Sequence, residues 1–280
     1  MRYAFFGTPR FAAIILKKLI EAGIAPSVLV SNPDRPVGRK KVITPPPTKR
    51  AVLDKGTEIR VFQPETKEDL VKISDEIFRD ADFGVVAAYA QIIPKEVIDK
   101  AKLGIIGVHP SLLPKLRGAS PIQTAILEGA ERTGVNLFML DELVDHGPVI
   151  ASDEMQVTSD MNYTLLEEKL AETGARLLIE TLPKFVLGKI KAEEQDESHA
   201  TYTKKFVTKD GYVDFEELKS AQESGEKAEE ILRKIRALNP EPGVYTVVDG
   251  RRMKLLAAEI SEGKLVLKEI QKEGRKPVRL

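Results

Sequence analysis

Through roughly its first two thirds, the chain alternates short apolar runs with stretches whose apolar residues recur every three or four positions. RYAFFG (residues 2–7) reads as a strand ending at Gly7. PRFAAIILKKLIEAG (9–23) has helical spacing and closes on Gly23, a helix terminator. APSVLVS (25–31) and EIRVFQP (58–64) read as strands, and KEDLVKISDEIFRDA (67–81) as an amphipathic helix. DFGVVAAYA (82–90) is apolar without alternation, the pattern of a strand covered on both faces. PKEVIDKAK (94–102) reads as a short helix after Pro94, and LGIIGVH (103–109) as the next strand. TGVNLFML (133–140) and PVIASDEMQV (148–157) add two strands, and YTLLEEKLAETGARLLIETL (163–182) a long helix. Strand–helix–strand alternation predicts an α/β fold with a doubly wound, mostly parallel sheet.

Near residue 195 the pattern breaks. KAEEQDESHATYTKKF (191–206) is polar and charged and reads as a linker. A helix around AEEILRKIRAL (228–238) follows, then about three short strands, with Asp249-Gly250 at a hairpin turn. The predicted division is a catalytic domain over 1–195, a linker over 196–210 and a small β-rich, OB-like domain over 211–280. One earlier stretch, NPDRPVGRKKVITPPPTK (32–49), has no periodicity and five prolines, and is expected to be a long loop.

Composition changes this picture little. Of 280 residues, 42% are hydrophobic and 31% charged, as in a globular protein. Lys plus Arg and Asp plus Glu both number 43, so any polyanion partner must be held by a local basic patch. The absence of cysteine excludes disulfides, thiol catalysis and thiolate metal sites, and agrees with a cytoplasmic location. No apolar run approaches the length of a membrane span, so no membrane partner is expected.

Four features carry candidate chemistry. His109 stands at the carboxyl end of a predicted strand, the edge where open α/β sheets bind ligands. It could act there, or cap the sheet with both ring nitrogens satisfied. Asp145 lies just past the strand over 133–140, and if that strand joins the same sheet it reaches the same edge, where an acid and an imidazole can share proton-transfer work. It could equally form an Asx-turn ahead of Gly147. Arg35, Arg39, Lys40 and Lys41 crowd the proline-rich loop, with Lys49 and Arg50 beyond it. Such a loop suits phosphate contacts or is simply solvated. Arg251, Arg252, Lys254, Lys272, Arg275, Lys276 and Arg279 form a second basic cluster on the C-terminal strands. After the first strand, FFGTPRF lacks a dinucleotide-binding glycine pattern, and Thr8 is a candidate helix cap.

In order and spacing, FFGTPRFA, NPDRPVGRKK…PPPTK, AYAQIIP, HPSLLPKLRGASPIQTAILEG, TGVNLFMLDELVDHGPVIAS and RALNPEPGVYT resemble the methionyl-tRNA formyltransferases over nearly the whole chain. The resemblance implies transfer of the formyl group of 10-formyltetrahydrofolate to the α-amine of methionine on initiator Met-tRNA. It implies a cytoplasmic monomer with no metal. It places folate against Ala88, Tyr89, Gln91 and Ile92, against Ser111, Leu112, Leu113 and Pro114, and against Asp141. It assigns tRNA contacts to Arg35, Arg39, Lys40 and Lys41 and to Arg251, Arg252 and Lys254. A neutral His109 would donate to the oxyanion of the tetrahedral intermediate, and Asp145 would take the ammonium proton.

The chain departs from the family pattern at Gly107, where a catalytic Asn is usual. His146 replaces a small hydroxyl residue, Ala90 a glycine, and the C-terminal domain looks shortened. A substitute donor is expected beside Gly107, with His146 and Asn136 the candidates. Two other activities would use the same residues: formyl transfer to a small amine such as an amino sugar nucleotide, and tRNA or folate binding without catalysis.

Overall fold

The computed structural model describes residues 1–38 and 40–280, which form two compact units. The first comprises Met1–Arg117, Gly134–Met155 and Glu167–Thr201, and the second Gly118–Thr133, Gln156–Leu166 and Tyr202–Leu280.

The elements of the α/β sheet come first in the chain. Strand β1 (Tyr3–Gly7), helix α1 (Arg10–Glu21) and strand β2 (Val28–Val30) lead to the hairpin β3 (Arg35–Val37) and β4 (Val42–Thr44). Helix α2 (Pro47–Lys55), β5 (Arg60–Phe62), α3 (Lys67–Arg79), β6 (Phe83–Ala87), α4 (Lys95–Ile98) and β7 (Ile105–His109) follow. Then come β8 (Arg117–Gly118), α5 (Pro121–Leu127), β9 (Arg132–Met139), β10 (Val149–Gln156) and α6 (Tyr163–Val186).

Seven strands form one sheet in the order β10-β9-β7-β6-β1-β2-β5. Pairs β1–β2, β1–β6, β2–β5 and β6–β7 are parallel, and β7–β9 is antiparallel. The sheet is thus doubly wound and mostly parallel, as the alternation predicts. Its strand order reverses between β1 and β6, which opens a crevice at the carboxyl ends of the strands. β1 and β7 are buried along their whole length, which explains their unbroken apolar runs.

Thr8 does not cap α1, whose N-cap is Pro9. Instead its Oγ1 donates to the Tyr89 carbonyl at 3.4 Å and accepts from the Asn32 amide at 3.2 Å. It stitches together the segments leaving β1, β2 and β6 at the crevice.

The stretch expected to be a loop over 32–49 is instead ordered into β3, β4 and the start of α2. Two three-residue strands are too short to show alternation. Pro47 occupies a first-turn position of α2, where a missing N–H costs nothing.

The C-terminal unit holds β11 (Tyr202–Thr203), α7 (Phe215–Glu223), α8 (Ala228–Leu238), β12 (Tyr245–Val248), β13 (Arg251–Ser261), β14 (Lys264–Lys272) and β15 (Val278–Arg279). β12 to β15 form a four-stranded antiparallel sheet rather than three strands, because Glu269 and Ile270 pair with Arg279 and Val278. Asp249 and Gly250 take φ of 48° and 72°, the doubly left-handed turn that matches strand twist. α8 packs on β13, β14 and α5, and buries Ile231, Ile235 and Leu238 with Ile122, Ile126 and Leu255. Among the described residues no helix is long and apolar enough to cross a membrane.

Candidate active site

The register of β7 on β9 decides which side chains share a face. His109 pairs with Asn136 and Gly107 with Phe138, and opposed residues of an antiparallel pair project from the same side of the sheet. His109, Gly107, Asn136 and Phe138 therefore lie on one face at the carboxyl end of β7.

His109 is buried, with 5% of its surface exposed. Its Nε2 lies 2.9 Å from the Leu116 carbonyl. A carbonyl only accepts, so Nε2 carries hydrogen. Nδ1 faces Asp145 Oδ2 at 3.5 Å. With hydrogen on Nε2, the neutral ring turns its other nitrogen, Nδ1, to Asp145.

Asp145 reaches His109 because the loop after β9 folds back on its own strand. The Met139 amide donates to the Pro148 carbonyl at 2.9 Å, and the Leu140 amide to Ile105 at 2.8 Å. A Cβ on Gly147 would lie 1.9 Å from the Met139 carbonyl oxygen, so only glycine permits this approach. Asp145 itself takes a left-handed φ of 50°. The Asx-turn of this loop belongs to Asp141, whose Oδ1 accepts from the Leu143 amide at 2.9 Å.

The space beside Gly107 holds neither expected donor. A Cβ built there would lie 2.2 Å from Phe138 Cε1 and 2.4 Å from Cζ, so the Phe138 ring occupies it. The His146 nitrogens turn to carboxylates: Nδ1 is 2.6 Å from Asp141 Oδ2 and Nε2 is 3.6 Å from Glu197 Oε1. Asn136 accepts from the Leu113 amide at 3.2 Å and donates to Ser152 Oγ at 2.8 Å. Its amide frames the turn Ser111-Leu112-Leu113-Pro114, which Ser111 also ties through Oγ to the Lys115 carbonyl at 2.6 Å.

The segment after β6 runs along the same sheet edge. Ala88 and Ala90 take φ of 47° and 67°, in the left-handed region that favours glycine. Ile92 is 80% exposed, whereas Tyr89 is buried against Phe6. The Tyr89 hydroxyl has no hydrogen-bond partner, and burial pushes its pKa up to about 12. Gln91 donates to Asn32 Oδ1 at 2.9 Å. A left-handed alanine costs about 1–2 kcal/mol, and the added chain freedom of glycine offsets about 0.4–1 of that. Ala90→Gly is therefore expected to raise the thermal midpoint by about 1–4 °C. A lower midpoint in a thermal scan would show that Ala90 is not strained.

The hairpin β3–β4 presents Arg35, Lys40 and Lys41 together with exposed Val37, Val42 and Ile43. Arg39 lies outside the described residues. Lys49 is withdrawn from this patch by Asp34, both of whose carboxylate oxygens lie 2.9 Å from Nζ. Gln63 and then Lys49 hold the Asp34 carboxyl below its ordinary range. Beside the hairpin lies a cleft of about 710 Å3 lined in part by Arg10, Lys17, Asn32, Arg35, Arg50 and Gln91. In the C-terminal unit Arg251, Arg252 and Lys254 are exposed on β13, with the Arg252 guanidinium 3.9 Å from the Tyr245 ring centre.

Two residues of the site environment escaped the sequence reading. Arg117 is wholly buried beneath the Asp145 loop, and Gln195 bonds to that loop directly. An arginine inside an apolar, proline-bounded stretch was a usable signal for the first. Gln195 lies in polar sequence that looks solvated, so nothing local marks it.

Residues 1–182 match the formyl transferase family, and residues 225–264 the formyl transferase C-terminal domain. The chain is 40% identical over 258 residues to the methionyl-tRNA formyltransferase of Bacillus licheniformis, covering 92% of this chain and 78% of that one. It shares its fold with the methionyl-tRNA formyltransferase from Clostridium thermocellum (TM-score 0.62, 14% identity), covering 97% of this chain and 98% of that one. It also shares its fold with HypX from Aquifex aeolicus in complex with tetrahydrofolic acid (TM-score 0.67, 19% identity), covering 100% of this chain and 46% of that one. The match of residues 1–182 to the formyl transferase family, with 40% identity to the Bacillus licheniformis enzyme over 92% of the chain, places the chain in the methionyl-tRNA formyltransferase family.

Proposed function

We propose that the chain transfers the formyl group of 10-formyltetrahydrofolate to the α-amine of methionine on initiator Met-tRNA, in the cytoplasm. The observation that carries the reading is the 3.5 Å approach of His109 Nδ1 to Asp145 Oδ2 at the carboxyl edge of the sheet. An α-amine titrates near ~7.7 in model peptides, and lower when its carboxyl is esterified. Much of it is thus already a free nucleophile at neutral pH. Its nitrogen attacks the formyl carbon, forming the new C–N bond and an intermediate with an oxyanion and an ammonium. Asp145 accepts the ammonium proton, and His109 stabilises the oxyanion. Collapse breaks the bond from carbon to N10 of the folate. The proton taken from the amine is returned to N10, which leaves as a neutral amine.

Folate would lie along the segment Ala88–Ile92, the turn Ser111–Pro114 and the Asp141 loop. Exposed Ala88 and Ile92 offer apolar surface for a flat ring. Tyr89 and Ser111 are buried, so they would shape the backbone there rather than touch the ring. Asn136 supports the turn. His146 supports Asp141 and is not in our reading a donor to the formyl oxygen.

The hairpin favours a tRNA acceptor over a small amine, because cations and exposed apolar side chains on one short ribbon suit a nucleic acid. A small-amine pocket has no need of them. The assay supplies 10-formyltetrahydrofolate with Met-tRNA, free methionine or an amino sugar nucleotide, and reads formylated product by mass spectrometry. Product on Met-tRNA alone is expected. Product on the amino sugar nucleotide alone would overturn the acceptor, and no product on any would overturn catalysis. Replacing Arg35, Lys40 and Lys41 by alanine is expected to raise KM for tRNA and to shallow its salt dependence by about 2–3 in the log–log slope. An unchanged slope would make the hairpin a bystander.

A further inference from the structure

The Arg117 side chain is completely buried, and a guanidinium out of water must be paired. Its Nη1 and Nη2 donate to the two carboxylate oxygens of Glu197 at 2.9 and 2.6 Å. This pairing holds the Glu197 carboxyl below its ordinary range. Nε and Nη2 also donate to Gln195 Oε1, at 3.1 and 2.7 Å.

Because a guanidinium has only donors, it fixes which way the Gln195 amide faces. The oxygen must turn to Arg117, and the NH2 group must turn away from it. That NH2 group donates to the Asp145 carbonyl at 2.9 Å and to the Gly147 carbonyl at 2.8 Å. The two carbonyls belong to the stretch that carries Asp145 in its left-handed conformation. Backbone held in that region persists only where its surroundings over-determine it.

The same short segment also holds the other member of the pair. The Leu116 carbonyl accepts from His109 Nε2, the Leu116 amide donates to Thr201 Oγ1 at 2.8 Å, and the Arg117 amide to the Thr201 carbonyl at 2.9 Å. One arm of the Leu116–Arg117 segment therefore reaches His109 through a carbonyl, and the other reaches the Asp145 backbone through an amide.

We infer that Gln195, oriented by the buried Arg117, is a positioning residue that sets the distance between the Asp145 carboxylate and His109. The inference rests on the reading of Asp145 as the proton acceptor. Gln195 does not touch the reacting atoms. It fixes a loop whose displacement by about 1 Å is enough to cost up to roughly a hundredfold in rate.

Two variants test it. Gln195→Met keeps the length of the side chain and removes both amide functions. Gln195→Glu keeps an acceptor for Arg117 and turns an oxygen toward the two carbonyls. Both are expected to lower kcat about ten- to a hundredfold, with KM for Met-tRNA and for 10-formyltetrahydrofolate unchanged within about twofold. A merely structural role would lower Tm and raise both KM values while kcat held, and that result overturns the inference. Asp145→Asn is assayed beside them. If Asp145→Asn is inactive and a folded Gln195 variant keeps its kcat, the positioning role falls alone. If Asp145→Asn turns over normally, the reading of Asp145 falls and takes the positioning role with it. Should Gln195→Met fail to fold, Gln195→Glu carries the same comparison.

Discussion

Turnover by Asp145→Asn and by His109→Ala is expected to fall about 10²–10⁴-fold each, with KM for Met-tRNA little changed. Asparagine preserves the shape of the aspartate but cannot accept the ammonium proton. Alanine at 109 removes the donor to the oxyanion, an interaction typically worth about 2.7–4 kcal/mol. The two groups face each other at 3.5 Å and, in the proposed mechanism, form one proton-transfer unit. Their losses are therefore expected not to add, and the double variant should be about as slow as the worse single one. Single-turnover formation of formylmethionyl-tRNA measures this. Near-wild-type turnover by either single variant would remove that residue from the mechanism, and additive losses would show that the two work separately.

The second large effect is on stability. Gly107→Asn puts a Cβ 2.2 Å from the Phe138 ring, inside a sheet where Phe138 is 3% exposed. A ring on a buried strand cannot swing aside as a flexible chain end would. Overpacking of this kind costs about 1–3 kcal/mol or more. Phe138→Ala by itself leaves a cavity and costs about 3–5 kcal/mol. Combined, the asparagine takes up part of the space that the ring vacates. The double variant is expected to be more stable than the sum of the singles by at least about 1 kcal/mol. Denaturant titration of the four proteins gives this coupling directly. Strict additivity would mean that Phe138 is not what requires glycine at 107.

This pairing alters the sense of the departure at position 107. Neither candidate donor fills the space beside Gly107. Asn136 and His146 both carry groups able to donate, but Asn136 is spent on Leu113 and Ser152, and His146 on Asp141. The space is closed by an aromatic ring. The proposed oxyanion site therefore relies on His109 for its side-chain donor.

What the sequence determined by itself is what period and punctuation encode. The alternation of short apolar runs with helical spacing defined the doubly wound sheet, and His109 marked the polar end of a buried strand. Asp249-Gly250 specified its hairpin, whereas Asp145 returns to the His109 edge only because the loop after the antiparallel strand β9 folds back on that strand. Local pattern reports which face of an element is apolar, and it reports nothing about which distant polar groups will meet. The Phe138 ring fills the space at Gly107 because β9 runs antiparallel to β7 in one particular register. Arg117 finds Gln195 across 78 residues of chain, in a segment that reads as solvated linker. The proline-rich stretch after β2 became a hairpin and a helix because three-residue strands gain their hydrogen bonds from each other and show too few residues to betray a period. Register, close approach and the pairing of buried charge are long-range quantities, and only the folded chain decides them.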